Sequence, residues 1–149
     1  MTLREQKIIR AARGWIGTPY RHQASVKGQG CDCLGLLRGI WREVVGDEPE
    51  AVPGYTADWS ETSHEERLWA AAMRNMASAA IDTGKGGQAV LFRMRAGHVA
   101  KHLGILASSE AGFATVIHAY SGRGVVETPM NSAWARKIVA QFQFPERKA

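Results

Sequence analysis

Apolar residues recur at helical spacing three times in the first half of the chain, and at alternate or clustered positions in short runs in the second. Ile9, Ala12, Trp15 and Ile16 follow Thr2 and Glu5, a capping-box pair, and predict a helix over about 3–16. Gly17-Thr18-Pro19 ends it, because glycine tolerates the C-terminal turn and proline restricts the residue before it. The polar, glycine-bearing stretch Arg21 to Gly30 reads as a loop. A second helix is expected to begin near Asp32 or Cys33, to turn Leu36, Leu37, Ile40, Trp41 and Val44 to the core, and to stop near Gly46. Residues 47–61, with Pro49, Pro53 and Gly54, read as an acidic loop rather than an interdomain linker. Thr62-Ser63-His64-Glu65-Glu66 then offers two overlapping capping boxes. Leu68, Trp69, Ala72, Met73 and Met76 predict a third helix running to about residue 80.

Past Gly84-Lys85-Gly86-Gly87 the pattern changes. Gln88 to Met94, His102 to Ala107, Phe113 to Tyr120, Val125 to Thr128 and Arg136 to Phe144 read as strands divided by glycine or serine turns. In the last of these, Ile138, Ala140, Phe142 and Phe144 fall on one side by alternation. Helices gathered before a run of strands predict an α+β fold, N-terminal helices packed on a C-terminal antiparallel sheet. A Rossmann fold is disfavoured, since no strand, glycine-rich loop and helix open the chain.

Composition narrows the class. The 149 residues, 45% of them apolar, match the size of one domain with one core. Cys31 and Cys33, the two cysteines, are too few for a disulfide framework. No apolar run is long enough to span a bilayer, and Met1 to Lys7 lacks the apolar core of a signal peptide. The net charge of +5 arises in the second half, where residues 76–149 carry nine basic and four acidic side chains against ten of each in 1–75. Asp47 to Glu66 holds seven acids and no base, and no basic stripe is interleaved with aromatics. Nucleic acid is therefore not an expected partner.

Cys33 falls in the opening turn of the second helix, where unpaired amides and the helix dipole favour an anion, so a depressed thiol pKa is expected. The competing reading is a small buried apolar residue. Cys31 precedes the helix and reads as packing, while Asp32 can cap it. A thiolate nucleophile needs a basic partner, and five histidines are available. His64 sits among acids at a helix start and reads as a solvated group. His22, in the loop before Cys31, and His98, in a turn after Gly97, are candidates to line a cleft together with Asp32. His102 and His118 lie on consecutive strands, and pairing across the Ser108 to Gly112 turn can place their rings side by side on one face. That gives either a Cys-His-His triad or two polar partners that merely satisfy each other. Cys31, Cys33, His102 and His118 also have the ligand types of a tetrahedral zinc site, but the spacing is weakly diagnostic.

Gly17-Thr18-Pro19-Tyr20-Arg21, then Asp32-Cys33-Leu34-Gly35-Leu36, His102-Leu103-Gly104-Ile105 and Ile117-His118-Ala119 with Gly124-Val125-Val126, together resemble the NlpC/P60 family of cell-wall cysteine peptidases. The resemblance implies one papain-like catalytic domain over 1–149. It implies Cys33 as nucleophile, His102 as general base and proton donor, and His118 as the residue orienting His102. Tyr20 and the Cys33 backbone amide would support substrate or oxyanion. The implied reaction is hydrolysis of bacterial peptidoglycan stem peptides, often between D-glutamate and diaminopimelate or lysine, with no cofactor or metal.

The chain departs from the family pattern at Leu34, where a serine is common, and at His22-Gln23-Ala24, where a tryptophan or glycine pair is usual. With these departures it looks most like the phage and gene-transfer-agent branch, whose members are associated with tail structures. On that reading the protein is made in a bacterial cytoplasm without a signal peptide and carried to the wall or periplasm on a phage-like tail. The remaining readings are an amidase or acyltransferase with the same centre, or a catalytically silent wall-binding or tail-assembly module.

Overall fold

The computed structural model describes residues 1–51 and 66–147. The first helix, α1, spans Leu3–Arg13, and the Thr2 hydroxyl accepts the Glu5 amide at 3.1 Å as its cap. It ends earlier than its periodicity predicts. Trp15 and Ile16 donate to the carbonyls of Ala12 and Arg13, so the chain tightens into a turn that swings the Trp15 indole inward. The ring packs so closely on the second helix that a Cβ on Gly39 would lie 2.0 Å from it. The stretch expected to be a loop contains a two-stranded ribbon, β1 (Ser25–Val26) and β2 (Gly30–Cys31), too short to show alternation.

The second helix, α2, spans Cys33–Val44 and buries Leu36, Ile40, Trp41 and Val44. The third, α3, spans Arg67–Asn75, not to residue 80, because Ala77–Ala79 form a strand, β3, instead. Ala-Ser-Ala has little side-chain bulk to resist either state, and an open sheet edge satisfies its backbone. The expected capping boxes lie outside the described residues except Glu66. That residue is the N-cap, yet its side chain makes no capping bond. Its carboxylate accepts from Arg93 Nη2 at 2.6 Å and the Ala100 amide at 2.8 Å.

The remaining elements are β4 (Ala89–Phe92), β5 (His102–Ser108), β6 (Ala114–Tyr120), β7 (Gly124–Pro129), a short helix α4 (Ser132–Ala135) and β8 (Ile138–Gln143). They build a six-stranded antiparallel sheet in the order β3-β8-β4-β5-β6-β7. The fold class is thus α+β with an antiparallel sheet at its core. One face carries Leu91, Leu103, Ile105, Ile117 and Phe142 and packs on Ile8, Ala12, Leu36 and Ile40 of α1 and α2. The other face holds a smaller cluster of Val90, Phe92, Leu106, Val116 and Ile138, covered by Met130 and Trp134.

Strand β8 breaks the alternation expected of it. Leu91 pairs with Ala140 but Phe92 with Ile138, so Val139 is an extra residue on β8. The bulge leaves Val139, Ala140, Phe142 and Phe144 on the helix-covered side and sends Ile138 to the opposite cluster.

Candidate active site

The loop before α2 is stitched down from three sides. Gly17 and Thr18 exchange backbone bonds with Val125 at the start of β7. Cys31 donates to Pro19, and Arg21 donates to Cys31, which sets Tyr20 beside Cys31 in a parallel bridge. Asp32, almost wholly buried, completes the clasp: Oδ1 accepts the Gly35 amide at 2.7 Å as the helix N-cap, and Oδ2 accepts the Gln23 amide at 2.8 Å. Gln23 is held at φ +66°, the one non-glycine residue in the left-handed region among those described. The loop lies so tightly over the helix that a Cβ on Gly35 would come within 1.8 Å of the Ala24 carbonyl oxygen.

This arrangement holds Cys33, half-buried, at the first position of α2. Its thiol donates to the Lys101 carbonyl at 3.3 Å and is approached by the amide of Leu103. The sulfur therefore lies against the backbone on both sides of His102. Burial pushes the thiol up to about 12, with the Asp32 carboxylate acting in the same direction. The amides of Leu103, Leu34 and Cys33 itself pull the other way and are outweighed. The depressed pKa expected from a helix N-terminus is thus reversed, because desolvation of the thiolate exceeds what the amides return.

His102 opens β5 and His118 lies on β6. Their strands pair as Ile105 to Ile117 and Leu106 to Val116, which puts both imidazoles on the same sheet face. His102 Nε2 and His118 Nδ1 are 2.8 Å apart. Gly104 beside them makes room for Val116, since a Cβ there would sit 2.4 Å from the Val116 side chain but in ordinary contact, at 3.4 Å, with His118 Cβ. His118 is completely buried, and its Nε2 is 3.0 Å from the Thr128 hydroxyl on β7. Trp134 of α4 stands edge-on to the His118 ring at 4.9 Å and tilts over His102 at 5.8 Å. Burial lowers His102 to about 3, helped by the neighbouring His118, and lowers His118 to about 4. At neutral pH the site therefore holds a neutral thiol and two neutral imidazoles.

No protein-family model matches the chain, and no curated protein sequence does. Solved structures do match. A crystal structure of a protein similar to a lipoprotein of the NLP/P60 family, from Staphylococcus aureus subsp. aureus Mu50, superposes with a TM-score of 0.58 over 97% of this chain at 15% identity. This chain spans 42% of that protein's length. The chain shares the fold of the matched part of that protein.

Within this fold the remaining candidates separate. Tyr20 is half-buried beside Cys33, and burial, with the Cys33 and Asp32 charges, pushes its phenol up to about 12. His22 is exposed, with Nδ1 3.8 Å from Asp32 Oδ2, at the mouth of the same loop. His98 is exposed in the Arg95–His98 turn, and its carbonyl accepts from Arg93 Nε. Cys31 is buried in the main core, its thiol likewise raised to about 12 by burial. Among the described residues no three His, Cys, Asp or Glu side chains are grouped as metal ligands. Likewise, no described helix is long and apolar enough to cross a membrane. Leu34, the departure beside the thiol, lines an apolar cavity of about 90 Å³ between α2 and α3, with Leu37, Trp41, Leu68 and Leu103. Thr128 and Trp134 are absent from any reading of the sequence alone: a threonine on a strand and a tryptophan in a one-turn helix carry no motif.

Proposed function

We propose that the chain is a papain-like cysteine peptidase that cleaves amide bonds in bacterial peptidoglycan stem peptides, with D-glutamyl-diaminopimelate or D-glutamyl-lysine as the bond. What supports this reading is a thiol at a helix start, set against the backbone on both sides of His102, whose Nε2 is taken up by a second, buried histidine. His102 Nδ1 is then the nitrogen that receives the Cys33 proton as the thiolate attacks the scissile carbonyl. The tetrahedral oxyanion is met by the Cys33 amide, which has no acceptor inside α2, and by the Tyr20 hydroxyl, kept protonated by its raised pKa. The imidazolium returns its proton to the departing amine, leaving a thioester. Water, deprotonated by His102, attacks that thioester, releases the carboxylate and restores the thiol. On this reading His22 and Gln23 line the wall nearest the substrate, with the buried Asp32 carboxylate holding the Gln23 amide from behind.

The neutral resting state fits a nucleophile that is only slightly ionised until substrate fills the cleft. The same raised thiol favours a second reading, a silent wall-binding or tail-assembly module, because a thiol held near 12 is a trace thiolate at neutral pH and reacts slowly in the free protein. We also place the protein on a phage-like tail that delivers it to the wall, its partners being stem peptides and tail proteins.

Mass spectrometry of peptidoglycan fragments incubated with wild-type protein, Cys33→Ala and Cys31→Ala decides between these readings. A stem-peptide cut made by wild type and Cys31→Ala but not by Cys33→Ala is expected. Cleavage surviving in Cys33→Ala removes the mechanism. No cleavage by any folded variant, across several stem chemistries, favours the silent module.

A further inference from the structure

Three ring nitrogens and one hydroxyl lie in a row across β5, β6 and β7: His102 Nε2 to His118 Nδ1 at 2.8 Å, then His118 Nε2 to Thr128 Oγ1 at 3.0 Å. A neutral imidazole carries one N–H and one lone pair, so the direction of each bond fixes the next. If Nδ1 of His102 is to accept a proton, its Nε2 must already carry one and donate it to His118 Nδ1. His118 Nδ1 then has no proton, so its own sits on Nε2 and must find an acceptor in a fully buried place. The Thr128 hydroxyl oxygen is that acceptor. The reverse arrangement, with Thr128 donating, puts the proton on His118 Nδ1, makes His102 Nε2 the acceptor and moves the His102 proton to Nδ1, where it blocks transfer from the thiol.

We infer that Thr128 is a positioning residue whose hydroxyl oxygen satisfies the His118 Nε2 proton and so supports the one tautomer of the row in which His102 Nδ1 stays open as a base for Cys33. The inference rests on the proposed roles of Cys33 and His102. Thr128 itself touches neither the thiol nor substrate; its hydroxyl acts through two imidazoles. The site surrounding the row explains why a hydroxyl is needed there. Trp134 covers His118 and His102 on the open side of the sheet, so bulk water does not replace a lost acceptor. Thr128 sits diagonally from His118 across the β6–β7 pair, whose register opposes Val116 to Thr128 and His118 to Val126. A β-branched residue suits the strand, which makes valine a shape-matched replacement without the oxygen.

The test compares wild type, Thr128→Val and Thr128→Ser by two readouts that need no substrate. Nitrogen NMR of the histidine rings at pH 7 reports the tautomers, and the rate of Cys33 alkylation by iodoacetamide, followed by peptide mass mapping across pH 5–9, reports proton transfer from the thiol. His118 is expected to carry its proton on Nε2 in wild type and Thr128→Ser, and to become a mixture in Thr128→Val. Cys33 alkylation at pH 7 is expected to fall about tenfold in Thr128→Val and to stay within about twofold in Thr128→Ser. A wild-type His118 protonated on Nδ1, or Thr128→Val with unchanged tautomer and alkylation, overturns the inference. So does an equal loss in Thr128→Ser, since the hydroxyl would not then be the operative group. Failure to cleave peptidoglycan leaves both readouts intact, so the tautomer assignment and the peptidase reading fall separately.

Discussion

Asp32 has two opposed effects on the residue beside it. Its carboxylate builds the site, capping α2 through Gly35 and holding Gln23 at positive φ, and it also raises the Cys33 thiol by placing a buried negative charge beside it. Replacing the charge while keeping the shape separates the two. Asp32→Asn retains an oxygen for the Gly35 amide but turns an amide group toward the Gln23 N–H, losing one charge-assisted bond. Stability is expected to fall by roughly 1–3 kcal/mol in urea titrations. In the same variant the thiol midpoint, followed by absorbance of the thiolate, is expected to move down, because a repulsive charge has gone. A midpoint that stays or rises would show that burial alone sets the thiol. This residue also marks how far reading the chain could reach. The order Asp-Cys at a helix start locates the cap and the nucleophile candidate, but the sign of the thiol's shift depends on how much water the folded loop excludes, which no local spacing encodes.

At the level of elements, legibility followed length and period. The helix α2 and the strands β5 and β6 are long enough for apolar periodicity to declare them, and His102 and His118 come within reach because those two strands are neighbours in a meander. Pieces of two to four residues, such as β1, β2, β3 and α4, carry too few positions for any period. The bulge in β8 is invisible for a related reason: an extra residue changes which face Ile138 occupies without changing composition. Helix α4 matters most among these, because it places Trp134 over the histidine pair. Trp134 is fixed by the Asn131 side chain, which accepts the Trp134 amide at 3.0 Å, and by Phe92, whose ring it meets edge-on at 5.3 Å. Trp134→Ala should admit water to both imidazoles and carry their pKa values back toward 6.5 from about 3 and about 4. Ring-proton NMR titration reads this directly. If neither histidine moves, the lowering comes from the sheet below and not from α4.

Across the whole molecule these buried groups shape stability against pH, because each keeps its neutral form over a wider pH range in the folded state than in the unfolded one. His102 and His118 titrate near 6.5 when exposed and at about 3 and about 4 when folded. As pH falls below about 6.5 the unfolded chain binds protons that the native state refuses, so stability declines by up to about 1.4 kcal/mol per pH unit for each ring. Cys31 and Cys33 shift from 9.0 to about 12, and Tyr20 from 10.0 to about 12. Above about pH 9 the unfolded chain releases protons that the native state retains, and stability declines again. The carboxylates held low by arginine, Glu48 by Arg38 and Arg42 and Glu127 by Arg13, contribute above their ordinary range and are lost only below about 4.5. Among the described groups with shifted values, the two imidazoles are the ones that act between pH 7 and pH 5. Urea unfolding is expected to show a loss of about 2 kcal/mol for each across that interval. His102→Gln with His118→Gln should flatten the acid limb while leaving the decline above pH 9 in place, since the thiols and Tyr20 are untouched. Equal wild-type stability at pH 5 and pH 7 would mean that the histidine pair opens to solvent in the native state, and the neutral resting site would fall with it.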